Sequence, residues 1–305
     1  MKSGTGLLLT RQSGIILSPG RVEGFRREVR DFFRVHGRDF PWRETCDPYA
    51  VMVSEFMLQQ TQTARVTEKY QAWLDRFPTV RSVAEADLSD VLSLWNGLGY
   101  NRRAKFLHEA CRKVCDEYGG IVPDDAEKLD ALPGIGAYTA RAICAFAFGK
   151  AEVFVETNIR AVFIHCFFAN GGVGEGGGSG AGRDIGTASP AVPDSDILPL
   201  VEQTLDAEDP RTWYYALMDY GAHLKKTAAN PSRRSASYAR QSAFRGSLRE
   251  ARGAILRQLS RQKGGLNLGD IGAGEDIDAD RLEKAAAGLL AEGLIRSEGE
   301  RYFLG

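Results

Sequence analysis

Between Ser18 and Phe168, apolar residues recur at helical spacing and nowhere alternate in the manner of a strand. A segment of that kind hides its apolar stripes only by packing helix on helix, so the main body is predicted to be all-α. Ser18-Pro19-Gly20 opens the first helix with an N-cap and a first-turn proline, and Val22, Phe25, Val29, Phe32 and Phe33 follow on one face. The spacing predicts further helices from Asp47-Pro48 through Gln59, then over Thr63–Phe77, Ala84–Trp95 and Arg102–Tyr118. Three more are predicted over Ala126–Ala131, Ala137–Phe148 and Thr157–Phe168.

Past this body the pattern changes three times. Eight of the twelve residues from Gly171 to Gly182 are glycine, so 170–196 is expected to be a flexible insertion. Helices resume over Ile197–Leu205 and Trp213–Leu224. From Gly246, apolar spacing suggests a helix around Leu248–Leu259 and another over Asp280–Glu292. Leu294–Leu304, broken at Glu298-Gly299-Glu300, reads as a hairpin, so 246–305 is expected to be a small winged-helix-like α+β module. Residues 1–17 are expected to be disordered, and 18–169 with 197–245 to form the main domain.

Composition excludes several classes. Hydrophobic residues are 43% and charged residues 26% of 305, the balance of a globular chain rather than a fibrous or disordered one. No apolar run is long enough for a membrane span and the first twenty residues lack a secretory core, so a cytoplasmic protein is expected. The five cysteines, Cys46, Cys111, Cys115, Cys144 and Cys166, include no C-x-x-C and suggest neither a disulfide framework nor a zinc site. Net charge is −1, but Gly221–Lys263 carries +10, flanked by −6 before it and −5 after it. That basic strip, with Lys225, Arg233 and Arg234, is a candidate for phosphate contact or a solvated linker.

Leu132-Pro133-Gly134-Ile135-Gly136 lies between two predicted helices. Its glycines allow a tight reversal that leads into a helix N-terminus, where free backbone N–H groups and the helix dipole suit a DNA phosphate. It is also compatible with an ordinary helix–helix turn. Two acids stand in apolar settings: Glu55 within Val51–Leu58, and Glu156 after Val153-Phe154-Val155. Glu55 lies either on an exposed face or in a functional site, and Glu156 is either a helix-start acid or functional. Two such carboxylates can hold different protonation states, as acid chemistry on one substrate requires.

Phe40-Pro41-Trp42-Arg43, Asp47-Pro48-Tyr49, Ser54–Thr63, Leu94–Tyr100 and Leu132–Ala140 occur in that order, and Ala216–Ala222 follows. Together they resemble the MutY family of adenine DNA glycosylases in the helix-hairpin-helix (HhH-GPD) superfamily. The resemblance implies a two-lobed helical core and a base excision enzyme that flips a base from duplex DNA. It implies that Glu55 protonates the leaving base, Glu156 stabilises the cationic sugar, Tyr138 supports the intermediate and Asn158 orients the site. Gln60 and Tyr100 fall where the family inserts or stacks side chains, and Gln59, Arg43, Leu132, Gly134 and Gly136 are carried over as DNA-binding. Relatives similar to endonuclease III place a lysine where this chain has Tyr138, so a monofunctional enzyme without a strong lyase step is implied.

Three departures qualify the resemblance. The family usually has aspartate where Glu156 stands. Its four cluster cysteines fall on Lys225, Ser232, Ser235 and Gln241, none a thiolate, so no iron–sulfur cluster and no other cofactor is expected. Its usual C-terminal domain for 8-oxoguanine recognition is replaced by the short module. The expected activity is removal of adenine opposite guanine or 8-oxoguanine by a nucleoid-associated monomer. The alternatives are excision of thymine or uracil opposite guanine, or of another damaged base, and lesion binding without turnover.

Overall fold

The computed structural model describes residues 14–168, 190–239, 243–262 and 264–305. Most of 170–196, and Gln241, lie outside the described residues. The helices in chain order are α1 (Pro19–His36), α2 (Pro48–Leu58), α3 (Thr63–Arg76), α4 (Val80–Ala84), α5 (Leu88–Trp95), α6 (Arg102–Tyr118) and α7 (Ala126–Asp130). They continue as α8 (Ala137–Phe148), α9 (Thr157–Phe168), α10 (Asp194–Thr204), α11 (Pro210–Thr227), α12 (Leu248–Arg261), α13 (Leu268–Ala273) and α14 (Ala279–Ala291). The chain closes on an antiparallel hairpin of β1 (Ile295–Glu298) and β2 (Arg301–Leu304), with Ile295 opposite Leu304.

The all-α body matches the sequence expectation, with local differences. The helix predicted over Ala84–Trp95 begins only at Leu88, and a short helix not predicted, α4, ends at Ala84. Thr79 and Ser82 form a capping box that starts α4 early, and the chain breaks before Asp87, the N-cap position of α5. The helix predicted from Ile197 begins at Asp194, with Asp194 and Asp196 in its first turn, where acids suit the dipole. Ile15 and Leu17, inside the stretch expected to be disordered, are tied down: Gln203 accepts from the Leu17 N–H and donates to the Ile15 carbonyl.

The described residues form two compact units, one drawn from 1–38 and 149–239 and the other from 39–148 and 240–305. In the first, α1 packs on α10 and α11, and α9 on α10 and α11. Its core is aromatic: Phe25 of α1 meets Phe163 at 5.4 Å, Phe167 at 5.1 Å and Trp213 at 5.9 Å between ring centroids. Arg38 closes this unit by donating its backbone N–H, Nε and Nη2 to the buried Asp219 of α11.

In the second unit α2 is central, packed by α3, α6 and α8. Residues 246–305 belong to this same unit, with α12 lying on α5. Their order is α12, a bridge from Leu266 to Tyr302, α13, α14 and the hairpin, the winged-helix succession. The Asn96 amide donates to Ser260 at 3.3 Å, and Lys105 donates to the Glu292 carbonyl at 2.7 Å.

Candidate active site

The two acids lie in different units. Asp47 caps α2 by accepting from the Tyr49 and Ala50 N–H groups, and Pro48 fits the first turn. Every residue from Tyr49 to Met57 is buried, which explains why this helix shows no polar stripe. Glu55 is 7% exposed among Met52, Val53, Phe56 and Met57, so it does not lie on an open face.

The Leu132–Gly136 turn connects α7 to α8. Leu132 and Ile135 point into the core at 2% and 5% exposure, and Gly136 and Ala137 are exposed at the helix start. Gly134 has φ +76°, and a Cβ there would come within 2.6 Å of Phe106 and 2.8 Å of Phe56. Gln59 braces the turn, donating weakly to the Gly134 carbonyl and to Thr139 Oγ1, both at 3.4 Å. Tyr138, in the first turn of α8, is partly buried.

Among the described residues only two that are not glycine have positive φ: Gln60 at 55° and Tyr100 at 47°. Both are residues for which the resemblance implies contact with the vacated base pair, and left-handed strain concentrates at such sites. One buried guanidinium fixes both loops. Arg103 Nη1 donates to the Phe56 and Met57 carbonyls at 2.6 and 3.0 Å, and Nη2 to Thr61 Oγ1 at 2.8 Å and the Leu98 and Gly99 carbonyls at 3.3 and 3.0 Å. Burial lowers its pKa to about 10, so it stays charged at neutral pH. Sequence reasoning missed Arg103, because Asn101-Arg102-Arg103 looks like any polar helix start. It also missed Arg249 of α12, whose guanidinium donates to the Tyr100 hydroxyl at 3.2 Å and lies 5.9 Å from its ring centre. Arg43 stacks its guanidinium 5.1 Å from the Phe40 ring centre.

In the first unit, Tyr214 stacks on Phe154 at 3.9 Å and donates to the Glu152 carbonyl at 2.6 Å, which fixes the approach to Glu156. Glu156 precedes α9, and its own side chain caps that helix. Oε1 accepts from the Asn158 and Ile159 N–H groups at 2.6 and 2.8 Å, and Oε2 from the Asn158 amide at 3.3 Å. Burial pushes the carboxyl above the ordinary glutamate range, while those two N–H groups, Lys225 and Arg160 pull it back down. The acid therefore has the geometry of a helix cap and the environment of a tuned group.

Several cations of the basic strip are engaged within the protein. Lys225 donates to Asn158 Oδ1 at 2.9 Å, and Arg234 to the Phe168 carbonyl at 2.6 Å. Arg252 pairs with Glu292 at 2.6 Å and Arg257 with Glu275 at 2.5 Å. Arg233 is exposed. The donor set does not fit an iron–sulfur cluster: Lys225 is a cation, and Ser232 is buried with its hydroxyl on the Thr157 carbonyl at 3.2 Å. Ser235 shares a hydrogen bond with Ser237 at 2.9 Å. Among the described residues no group of three or more His, Cys, Asp and Glu is placed to hold a metal ion.

A family model described as HhH-GPD superfamily base excision DNA repair protein matches residues 53–174. The adenine DNA glycosylase of Mycobacterium tuberculosis is 34% identical over 278 residues, covering 85% of this chain and 86% of that protein. The chain belongs to the HhH-GPD superfamily. It is similar in its MutY-like sequence to that superfamily's adenine DNA glycosylases, and it is a DNA glycosylase, a hydrolase of N-glycosidic bonds. The thymine-DNA glycosylase of Aeropyrum pernix is 37% identical over 147 residues, covering 48% of this chain and 66% of that protein. The solved structure of a thermostable thymine-DNA glycosylase superposes with a TM-score of 0.54 at 28% identity, over 66% of this chain and 86% of that one. The matched family segment carries Glu55, the hairpin and Glu156 of this HhH-GPD chain together. No described helix is long and apolar enough to cross a membrane.

Proposed function

We propose that this glycosylase acts as a monomer on duplex DNA and releases adenine mispaired with guanine or 8-oxoguanine. The observation that carries the reading is the 34% identity, over 85% of the chain, with an adenine DNA glycosylase. Glu55 gives its proton to a ring nitrogen of the flipped base. The bond from that base to the sugar C1′ then breaks, its electron pair leaving with the neutral adenine. The positive charge left on the sugar is stabilised by the Glu156 carboxylate, which the α9 N–H groups hold in place beforehand. Water adds to C1′ and its released proton returns to the Glu55 carboxylate, and the product is an abasic site. Tyr138 stands where bifunctional relatives carry a lysine, so the reaction stops there without strand cleavage. Gln60 and Tyr100 enter or stack at the vacated pair. The exposed hairpin start at Gly136 and Ala137 takes a backbone phosphate. The protein works without iron.

A second reading, thymine opposite guanine, is favoured by the 37% identity with a thymine-DNA glycosylase. Single-turnover release on duplexes holding adenine opposite 8-oxoguanine, adenine opposite guanine, thymine opposite guanine and uracil opposite guanine separates the two. Adenine release from the first two without strand scission supports the proposal. Release confined to the pyrimidine mispairs rejects it, and stoichiometric iron in active protein would reject the cluster-free reading.

A further inference from the structure

We propose that Lys225 is a positioning residue of the active site, holding the Asn158 side-chain amide, which in turn holds the Glu156 carboxylate. This rests on the reading that Glu156 acts at the sugar. The argument starts at Gly221. A Cβ there would lie 2.1 Å from the Asn158 carbonyl oxygen and 2.9 Å from its Cα, so the bare glycine lets α11 lie directly on the start of α9. Lys225 is four residues further along α11, hence on the same face. Its ammonium arrives 2.9 Å from Asn158 Oδ1.

The chemistry of the three groups admits only one arrangement. An ammonium only donates and a carboxylate only accepts. The amide between them must therefore turn its oxygen to Lys225 and its NH2 to Glu156 Oε2, as observed at 3.3 Å. A rotated Asn158 would set oxygen against carboxylate and NH2 against ammonium. Lys225 thus fixes the rotamer, and the rotamer fixes the second carboxylate oxygen. Oε1 is already held by two backbone N–H groups, so the chain Lys225–Asn158 controls the remaining freedom of the acid.

The other charged groups around this point are committed elsewhere. Arg160 of α9 makes two 2.7 Å bonds to Asp194 of α10, and Arg234 faces the Phe168 carbonyl. Ser232 caps the Thr157 carbonyl. Among the described residues, Lys225 is the cation hydrogen-bonded to the Asn158 side chain.

The test compares wild type with Lys225→Met, Lys225→Arg, Asn158→Ala and the Lys225→Met/Asn158→Ala double variant. We expect Lys225→Met to slow single-turnover base release at least tenfold while affinity for a duplex with an abasic analogue stays within threefold. Lys225→Arg should recover most of the rate. The double variant should be no slower than Asn158→Ala alone, because Lys225 acts through Asn158. A wild-type rate in Lys225→Met, or multiplicative losses in the double variant, overturns the proposal. An unchanged rate with a salt slope reduced by about 0.9 would make Lys225 a phosphate contact instead. Thermal melts establish folding; should Lys225→Met not be folded at the assay temperature, Lys225→Gln takes its place under the same criteria.

A readout without substrate keeps the two proposals apart. The carboxyl 13C resonance of Glu156 should titrate at higher pH in Lys225→Met than in wild type, since a neighbouring cation is removed. Coincident curves overturn the role of Lys225. Wild-type protein inert on every duplex, with the Glu156 curves still displaced, would defeat the adenine reading alone.

Discussion

At the residue scale, Glu156 combines two duties that a substitution can separate. As a cap it needs an acceptor oxygen, which glutamine also supplies; as an electrostatic group it needs charge. Glu156→Gln is therefore expected to cut single-turnover release by about a hundredfold or more without lowering the melting temperature. Glu156→Asp keeps the charge and the capping chemistry but withdraws the carboxylate by one methylene. A loss on the order of a hundredfold in rate is expected, at near-unchanged stability. Rescue toward faster release would show a pocket shaped for aspartate. The raised pKa of Glu156 fixes the sign of the pH response. The folded protein binds its proton more readily than the unfolded chain, so the stability this group contributes falls as pH rises. Its charge disappears as pH falls through the folded value, so the acid limb of base release should lie above pH 4.5, the ordinary glutamate value. A limb at or below that value in a pH–rate profile contradicts this. The sequence placed Glu55 and Glu156 in apolar surroundings, because apolar neighbours along the chain report burial. It marked Lys225 only as a candidate phosphate contact and passed over Arg103, because their partners are carbonyls, a hydroxyl and an amide brought up by folding. Arg103→Lys should lower stability by about 3 kcal/mol in urea unfolding, since one ammonium cannot serve the six acceptors of a planar guanidinium.

At the scale of elements, the two glycines of the hairpin are not equivalent. The sequence marks both as turn residues, yet only Gly134 combines positive φ with crowding by Phe106 and Phe56, whereas nothing lies within 4 Å of a Cβ on Gly136. Gly134→Ala is expected to cost about 1–3 kcal/mol of stability. Gly136→Ala should stay within about 0.5 kcal/mol and instead weaken duplex binding, because its bare face lies at the exposed start of α8. Denaturant unfolding and a binding titration on both variants check the contrast. The elements themselves were legible where apolar spacing is strong: α6, α8 and α9 have the predicted bounds. Of the two missed helices, α4 and α13, the second is six residues with two internal glycines, and propensity offers it no support. Packing forms it: a Cβ on Gly272 would lie 2.9 Å from Leu282 Cδ1 of α14, so glycine is what lets the two helices approach.

At the scale of the whole molecule, charge read along the chain overstates the charge offered to solvent. The strip of +10 looked uniform in sequence, but Lys225, Arg234, Arg252 and Arg257 each have a partner inside the protein. Exposed Arg233 is the better candidate for phosphate. Arg233→Glu should reduce the log–log salt slope of duplex affinity by at least 0.9 or so without changing the melting temperature. Arg234→Glu should lower the melting temperature, through loss of its bond to the Phe168 carbonyl. Identical slopes in wild type and Arg233→Glu would remove that residue from the DNA contact.

The interleaving of the two units also sets a timetable for synthesis. Helix α1 leaves the ribosome well before α9 and α11, against whose Phe163, Phe167 and Trp213 its Phe25 packs. At ~5–20 residues per second that wait is on the order of ten seconds. The other unit waits in the same way, because 39–148 must be joined by 240–305. Neither unit can complete its core until its second segment has been made, and until then the apolar face of α1 stays uncovered.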